Sequence, residues 1–580
     1  MSGAISPGPG RAGKNATGEG GAVWSRQLAD EFWSGAVTPL TFSLLAPPME
    51  ERMVREPLRR AGVRRLAAMP ILRLERSHVY ANASLVAAVV ALLPGSLRSE
   101  GLLAVLPPEL RAELGRRSLL VGGARAALIA LRFWLREPAW PPWRRAAAFD
   151  AAAAAIPAAL ASAAESASVA GPGTTPDPAT AVAEMGRVRE RLGDYLAVVS
   201  WGVVFAYVFY HLAVTLVRRW APNLVRLETA LMRGIPGIAS FEAHREALDL
   251  GRLLAADPAV AGRLTRDGPA TVAALLAAAD DPIGRALRTF LERHGHRLSG
   301  RDLRCPTWRE APGIVIGLAA RTGGGGARDG AEASARRLAA TATITEAVGH
   351  GPGGQTRRRA FLTILALAQR YYAVRENMRY HADRFLARLR ALALDAGGAL
   401  VAHGVLESPE DVFFLTFDEL AATAAGAPLV APLTARRAAF DRDAVAAPPL
   451  RLGHEPPSLA RPADSLAGEL GAPGHCRAAA RVVHDLADLA RVAAGEIVVA
   501  AYTDPGWTPF LARAGGLVLE VGGALSHGAI VARELGLPAL VGVAGALRAI
   551  ADGDTLTLDA EAGRVTIEAR AGGLPDDRGA

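Results

Sequence analysis

The chain has 580 residues, 51% of them apolar and 21% charged, a formal net charge of +8 and two cysteines. That length divides into roughly two to four domains, and the composition fits packed globular domains and excludes a disordered chain. Cys305 and Cys476 are too few for a disulfide framework, which points to a reducing compartment, the cytoplasm. The positive charge is almost entirely arginine, with Lys14 the single lysine. Arginines are scattered, with clusters at 59–65 and 357–359, and do not alternate with aromatics, so a nucleic-acid partner is not expected. A P-loop needs Gly-Lys-Ser/Thr, which the chain lacks, so the glycines at 323–326 do not form one. Schiff-base chemistry would likewise need a lysine beyond the N-terminal tail.

Residues 1–23 read as a disordered tail, with no apolar core to act as a secretory signal or anchor. Residues 24–435 read as a predominantly helical domain. Thr38 and Pro39 make an N-cap and N1 pair. Helical candidates include 48–67, 83–92, 108–136, 179–219, 240–255, 283–295 and 332–348, while the Pro/Ala/Gly-rich stretch 137–178 reads partly as surface loop. Leu196 to Val217 is apolar enough to span a membrane by length. It carries Ser200, Tyr207, Tyr210 and His211 and has no companion span, so a buried helix is the expectation. Residues 321–330 form a Gly-rich connection. The longest helix is expected from about Gln355 to Leu394, stopping at Gly397 and Gly398, and would be roughly 60 Å long. Along it Arg375 and Arg379 lie four apart and share a face. Ser408, Pro409, Glu410 and Asp411 form a helix-start pattern.

Residues 436–465, rich in Pro, Ala and Arg, read as a linker. From 466 to 570 the pattern turns to short β-runs at 480–483, 497–501, 516–520, 539–543, 555–558 and 565–567, with helical pieces between some of them, and 571–580 is a tail. The fold class is therefore multidomain: a mostly α-helical N-terminal domain followed by a small α/β domain. Within the latter, Gly522 and Gly523 precede Ser526, a good N-cap, and His527 opens a short helix ended by Gly536 and Pro538. A helix N-terminus carries unpaired N–H groups and a positive dipole end, where a phosphate is readily held. A histidine placed there is suited to take a phosphoryl group on a ring nitrogen. The plainer reading is a capping turn with an incidental histidine.

The run from Gly522 to Pro538 resembles the phosphohistidine swivelling domain of the phosphoenolpyruvate-utilising enzymes, which include phosphoenolpyruvate synthase, pyruvate phosphate dikinase and rifampicin phosphotransferase. The family pattern GG-x-x-SH-x-AI-x-ARE-x-x-x-P is met at every fixed position, and Thr503-Asp504-Pro505-Gly506-Trp507-Thr508-Pro509 resembles a second family loop. The resemblance implies that His527 is the phosphorylated residue, with Ser526, Gly522 and Gly523 forming its phosphate surroundings. Less specific pieces resemble the acceptor-binding domain of the same family. These are 24–41, Val79 to Asn82, Gly295-His296-Arg297, Pro306 to Trp308, Tyr371-Tyr372, Arg375 to Arg379 and Asp411 to Leu415.

By that resemblance Arg375 and Arg379 would serve phosphoryl transfer, and Tyr80, Asn82, His296 and Arg297 would line the acceptor site. On the residues alone, the arginines are equally a solvated helix face, His296 a satisfied structural histidine, and Tyr80 and Asn82 a helix start. Complete family members carry an ATP-grasp-like nucleotide-binding domain ahead of the acceptor-like segment, which here begins at Trp24. The expectation is that this chain binds no cofactor and no metal alone, and that ATP and Mg sit on a separate nucleotide-binding partner. The partners expected are that subunit and a small-molecule acceptor, with neither nucleic acid nor membrane. The competing readings are a non-catalytic binder of an apolar ligand and a phosphoryl carrier or regulator.

Overall fold

A computed structural model describes residues 22–571 apart from 27, 31, 34, 93–102, 104–105, 117–141, 168–176, 323–329, 430–431, 446–447, 453–463, 485, 490, 504–506, 508–510, 512 and 524–525. Nearly all of both expected tails, most of the 108–136 helix, the Gly-rich connection and much of the Thr503–Pro509 loop therefore lie outside the described residues. The helical starts follow one rule. Asp177, Asp257 and Asp281 each precede a proline at the first helical position, and each side chain accepts a backbone N–H of the first turn, from Ala179 (3.2 Å), Ala259 (2.9 Å) and Gly284 (2.7 Å). The aspartate satisfies an orphan donor and the proline costs no hydrogen bond there.

The centre of the N-terminal region is a pair of long helices, Pro178–Trp220 and Gly354–Ala402. Val188, Leu192, Tyr195 and Val199 of the first join Val374, Met378, Phe385 and Leu389 of the second in one apolar core. The Tyr195 hydroxyl donates across the pair to the Met378 carbonyl at 3.1 Å. Pro178–Trp220 is the one helix among the described residues long and apolar enough to cross a membrane, and half of its most apolar window is buried within the fold. The helices Ala239–Ala256, Pro258–Ala278, Pro282–His294 and Pro312–Thr322 pack beside this pair.

Four readings of the sequence change. A three-stranded sheet lies inside the region read as helical, with β1 (Trp24–Ser25) and β2 (Leu72–Glu75) flanking β3 (His78–Asn82). Its β2–β3 hairpin turns through Arg76 and Ser77, both at positive φ, so the usual Asn-Gly signal was missing. Part of the 137–178 stretch is a helix, Pro142–Ala167, whose Phe149 and Ile156 enter the main core. The 436–465 linker begins instead inside a helix, Leu433–Val445, held by Arg436 on Glu419 at 2.7 Å and by Phe440 against Phe414. The longest helix runs through Gly397 and Gly398 to Ala402, because Gly397 packs against the Pro409 carbonyl where no larger residue fits.

The C-terminal α/β region is an eight-stranded sheet. It comprises β4 (Ser465–Ala467), β5 (Glu469–Ala472), β6 (His475–Val483), β7 (Ile497–Ala500), β8 (Gly516–Leu519), β9 (Ala539–Val541), β10 (Thr555–Asp559) and β11 (Arg564–Ala569). Their order is β4-β11-β10-β6-β7-β8-β9-β5, with β6 through β9 parallel and the rest antiparallel. Alternation sorts the central strands: Ile497, Val499 and Val518 face one apolar cluster, and Val498, Ala500, Leu517 and Leu519 the other. The second cluster continues into the helical region through Leu250, Phe290, Trp308 and Val315.

The two adjacent glycines of the longest helix separate propensity from packing. Gly398→Ala meets nothing within 4 Å, and should stabilise the protein by about 0.5–1 kcal/mol. Gly397→Ala places a Cβ 2.2 Å from the Pro409 carbonyl oxygen and should destabilise by about 1–3 kcal/mol. Thermal midpoints of the two variants should move in opposite directions.

Candidate functional site

Strands β7 and β8 are parallel neighbours, so the loops that follow them leave from the same edge of the sheet. The carboxyl ends of parallel strands are where open α/β sheets place ligands. The loop after β7 holds Thr503, and the loop after β8 leads into the helix His527–Leu535. Gly522 adopts φ +124°, and a Cβ there would meet the Ser526 hydroxyl at 2.7 Å, so the turn requires glycine. Ser526 then caps the helix, its hydroxyl accepting the Ala529 N–H at 3.4 Å. Gly536 at φ +63° ends the helix, where its N–H and that of Leu537 take the carbonyls of Arg533 and Ala532. The backbone of His527 thus stands in the first turn, as the sequence pattern requires, while its side chain lies outside the described residues.

Gly528 is the closest approach between the two loops. A Cβ there would lie 2.2 Å from Leu519 Cδ1 and 2.8 Å from Thr503 Oγ1. The Thr503 hydroxyl is buried and has no hydrogen-bond partner among the described residues. A buried hydroxyl is normally paired, and this one lies beside the first turn of the helix.

The helix is buried on two sides. Ala529, Val531, Ala532 and Leu535 pack into the apolar cluster on their own sheet. Ile530 instead joins Tyr210, Met232, Ile235, Ile238, Tyr372 and Ala373 of the helical region. Positions 527, 530 and 534 follow the i, i+3, i+7 spacing of one helix face. At the end of that face the Gly234 N–H donates to both carboxylate oxygens of Glu534, at 2.9 Å each. The receiving segment is itself pinned to the longest helix. The Gln369 amide donates to the Leu231 carbonyl at 2.8 Å. Asn377 donates to Gly237 at 2.6 Å and accepts the Ala239 N–H at 2.9 Å. Glu534 and Asn377 lie inside family-like strings without a role of their own there, and Gln369 is marked only as a polar residue set between buried ones.

Arg375 lies on the same stretch of helix, one turn beyond Tyr372, and is 5% exposed. Its guanidinium donates to Glu376 Oε1 at 2.9 Å and sits 5.7 Å from the centroid of the Tyr207 ring. The charges of Arg375, Glu376, Arg533 and Glu534 all reach Tyr372, whose hydroxyl burial pushes well above the usual phenol range. Arg375 is therefore a held, desolvated cation near the docked helix, not part of a solvated face. Arg379 is half-buried one turn further on.

The remaining sequence candidates go elsewhere. Arg297 stacks over Trp308 at 4.8 Å and faces Asp383 at 3.8 Å, with Arg301 on the same carboxylate at 2.7 Å. His296 Nε2 lies 3.3 Å from the Tyr380 carbonyl, and burial holds its imidazole well below the usual range, hence neutral. Asn82 caps the helix Ala83–Val90 by accepting the Leu85 N–H at 3.0 Å, and donates to Pro70 at 2.9 Å. The buried Tyr80 donates to the Pro449 carbonyl at 2.9 Å. Among the contacts of the described residues, none joins these four to the His527–Leu535 helix. Nor, among the described residues, do three His, Cys, Asp or Glu side chains gather as a metal site.

The small α/β domain thus meets the helical region through one side of the His527–Leu535 helix, at Ile530 and Glu534. Residues 492–563 match the PEP-utilising enzyme mobile domain, and residues 200–376 match the rifampicin phosphotransferase fourth domain. The chain is similar to a rifampicin phosphotransferase of Streptomyces sp, 33% identical over 297 residues, which are 49% of this chain and 34% of that protein. It is also similar to the prodigiosin synthesizing transferase PigC of Serratia marcescens, 44% identical over 128 residues (21% of this chain, 14% of that protein). With chondramide synthase cmdD of Chondromyces crocatus it shares 29% identity over 377 residues, 58% of this chain and 10% of that protein. The chain spans about a third of the length of the rifampicin phosphotransferases it matches. It is thus related to the phosphoenolpyruvate-utilising phosphotransferases, and both matched regions contribute to the contact between the two domains.

The local geometry predicts graded costs at the first turn. Ser526→Ala removes the cap and should cost about 1 kcal/mol. Gly528→Ala must displace Leu519 and Thr503 and should cost about 1–3 kcal/mol. Denaturant titration followed by near-ultraviolet signals from Trp507 of this domain measures both.

Proposed function

We propose that this chain is a phosphotransferase component that carries a phosphoryl group on His527 and delivers it to an acceptor hydroxyl bound by the helical domain. The observation that carries the reading is the docked helix. Position 527 opens a capped helix and shares the face of Ile530 and Glu534 that meets the helical domain beside Tyr372 and Arg375. The positive helix terminus and the unpaired Thr503 hydroxyl supply what a phosphoryl group on the ring would need. Phosphoryl transfer asks the protein mainly for positioning and for fixed positive charge around the migrating oxygens. Arg375 offers a desolvated guanidinium in the same neighbourhood, and Arg379 follows one turn away.

The cycle has two steps. In the first, a phosphoanhydride bond of a nucleotide breaks and a P–N bond forms on the neutral imidazole. In the second, that P–N bond breaks, a P–O bond forms on the acceptor hydroxyl, and the hydroxyl proton is lost. The nucleotide, ATP with Mg, would be held by an ATP-grasp-like unit on a separate partner. The acceptor is a small molecule, and the reaction is assigned to the cytoplasm, as the two free cysteines suit a reducing compartment.

Supplied with a nucleotide-binding partner and ATP, the protein should acquire an acid-labile, base-stable label that His527→Ala abolishes; an equally labelled alanine variant would assign the carrier to another residue. Arg375→Ala should leave labelling intact and slow discharge to the acceptor by roughly 10²–10³, the scale for losing one preorganised donor. Because that variant leaves Glu376 buried without its partner, Arg375→Lys is the matched control. It should keep the fold and recover only part of the rate, since lysine lacks the planar fork. Single-turnover loss of label, read beside the melting curve, separates the two effects.

A further inference from the structure

Glu534 stands apart from everything assigned so far. It lies seven residues, two helical turns, beyond His527 and on the same face. Both its oxygens take one backbone N–H, that of Gly234, at 2.9 Å each. Gly234 is itself a fixed point. Its φ is +56°, a Cβ there would strike the Ser334 nitrogen at 2.5 Å, and the Ser334 hydroxyl donates to its carbonyl at 3.0 Å. Three elements therefore meet at one peptide: the turn after residue 232, the helix Gly330–Gly349 and the His527–Leu535 helix.

We propose that Glu534 is the positioning residue that fastens the carrier helix on the acceptor domain through the Gly234 N–H, and that release of this bond frees the carrier to return for recharging. The inference rests on the carrier reading above. A bond two turns from position 527 fixes both the height and the rotation of the helix, which Ile530 alone, held by non-directional apolar contact, does not. Undocking transfers the carboxylate from a buried site to water, so the latch is also sensitive to protonation.

Burial pushes the Glu534 carboxyl up to about 7, against the pull of the Gly234 N–H, Arg233, Arg533 on its own helix and Arg337. Arg336 acts on Arg233, and Tyr372 faces the carboxyl from the longest helix. The sign follows from linkage. Docked Glu534 holds its proton up to about pH 7, whereas an exposed glutamate loses it near 4.5. Docking is therefore strongest at and below that lower value and weakens as pH rises through about 7.

Hydrogen exchange of the Gly234 amide in the full-length protein, corrected for the intrinsic pH dependence of exchange, tests the latch without any ligand. Protection in the parent should fall between pH 5 and 8. Glu534→Ala should speed exchange by up to about tenfold at pH 6, where the docked carboxyl is protonated, the scale for losing one neutral hydrogen bond. Glu534→Gln keeps a carbonyl acceptor of the same length and should retain protection with a flat pH profile. Small-angle scattering should report expansion for the alanine variant and not for the glutamine variant. If Glu534→Ala unfolds globally by circular dichroism, the pH profile of Glu534→Gln against the parent still decides. Unchanged Gly234 protection in Glu534→Ala, or an equally steep profile in Glu534→Gln, overturns the latch. Absence of label on His527 in the parent would instead sink the carrier reading, and the exchange data would stand apart from it.

Discussion

The pairing of Pro178–Trp220 with Gly354–Ala402 is the constraint on which the rest of the structure depends. Helices of this length define position along tens of ångströms because interdigitated side chains fix both spacing and register. The residues that meet the His527–Leu535 helix are referred to that pair. Tyr210 comes from one helix, Tyr372 and Ala373 from the other, and the Leu231–Ala239 segment is bolted to the second by Gln369 and Asn377. Arg375 is held in the same frame, between Glu376 and the face of Tyr207. A cation that must meet a migrating phosphoryl group gains from such rigidity, because no reorganisation remains to be done when the charge arrives.

The same frame explains the two-sided burial of the His527–Leu535 helix. Its inner face belongs to the α/β sheet, where Ala529 and Val531 are fully covered, so its position within the small domain is permanent. Its outer face, at 530 and 534, is covered by the other domain. Ile530 is thus fully buried in a cluster drawn from a different domain. The separate network of Arg297, Arg301, Asp383 and Trp308 holds the chain after Pro282–His294 against the longest helix further along. Its role is to brace the scaffold.

The carrier helix was legible because its signals are local. A glycine turn, a serine cap, an apolar run and a glycine stop all fall within fifteen residues, Gly522 to Gly536, and the structure follows them. The short β-runs that became strands β6 to β11 were legible for the same reason. What the sequence concealed was long-range. Glu534 and Gly234 are 300 positions apart, and Asn377 and Ala239 are 138 apart, with nothing local to pair them. The glycine pair at 397 and 398 reads as a helix stop, and only the carbonyl of Pro409 overrides it. Asn82 caps the helix Ala83–Val90, as the plainer reading of that string had it, but the partner of Tyr80 is a carbonyl at 449, which nothing local announces. Ile530 looked like one more core residue of a single apolar face, because a buried interface and a buried core use the same side chains.

Magnitudes bear on whether such a dock can be part of a cycle. Burying an isoleucine contributes about 1.5–3 kcal/mol. The hydrogen bond to the Glu534 carboxyl, which burial keeps protonated up to about pH 7, adds about 0.5–1.5 kcal/mol. Together the two anchors amount to a few kcal/mol, and they act beside the apolar cluster that the sheet shares with Leu250, Phe290, Trp308 and Val315. On the proposed cycle, positions 527, 530 and 534 share one face, so a carrier seated on the acceptor domain turns position 527 away from any separate donor. Charging and discharge then exclude one another in space, and the domain must leave its seat between them. At the helix itself the apolar contact of Ile530 is non-directional, so the directional, protonation-sensitive bond of Glu534 is what sets its height and rotation on that seat.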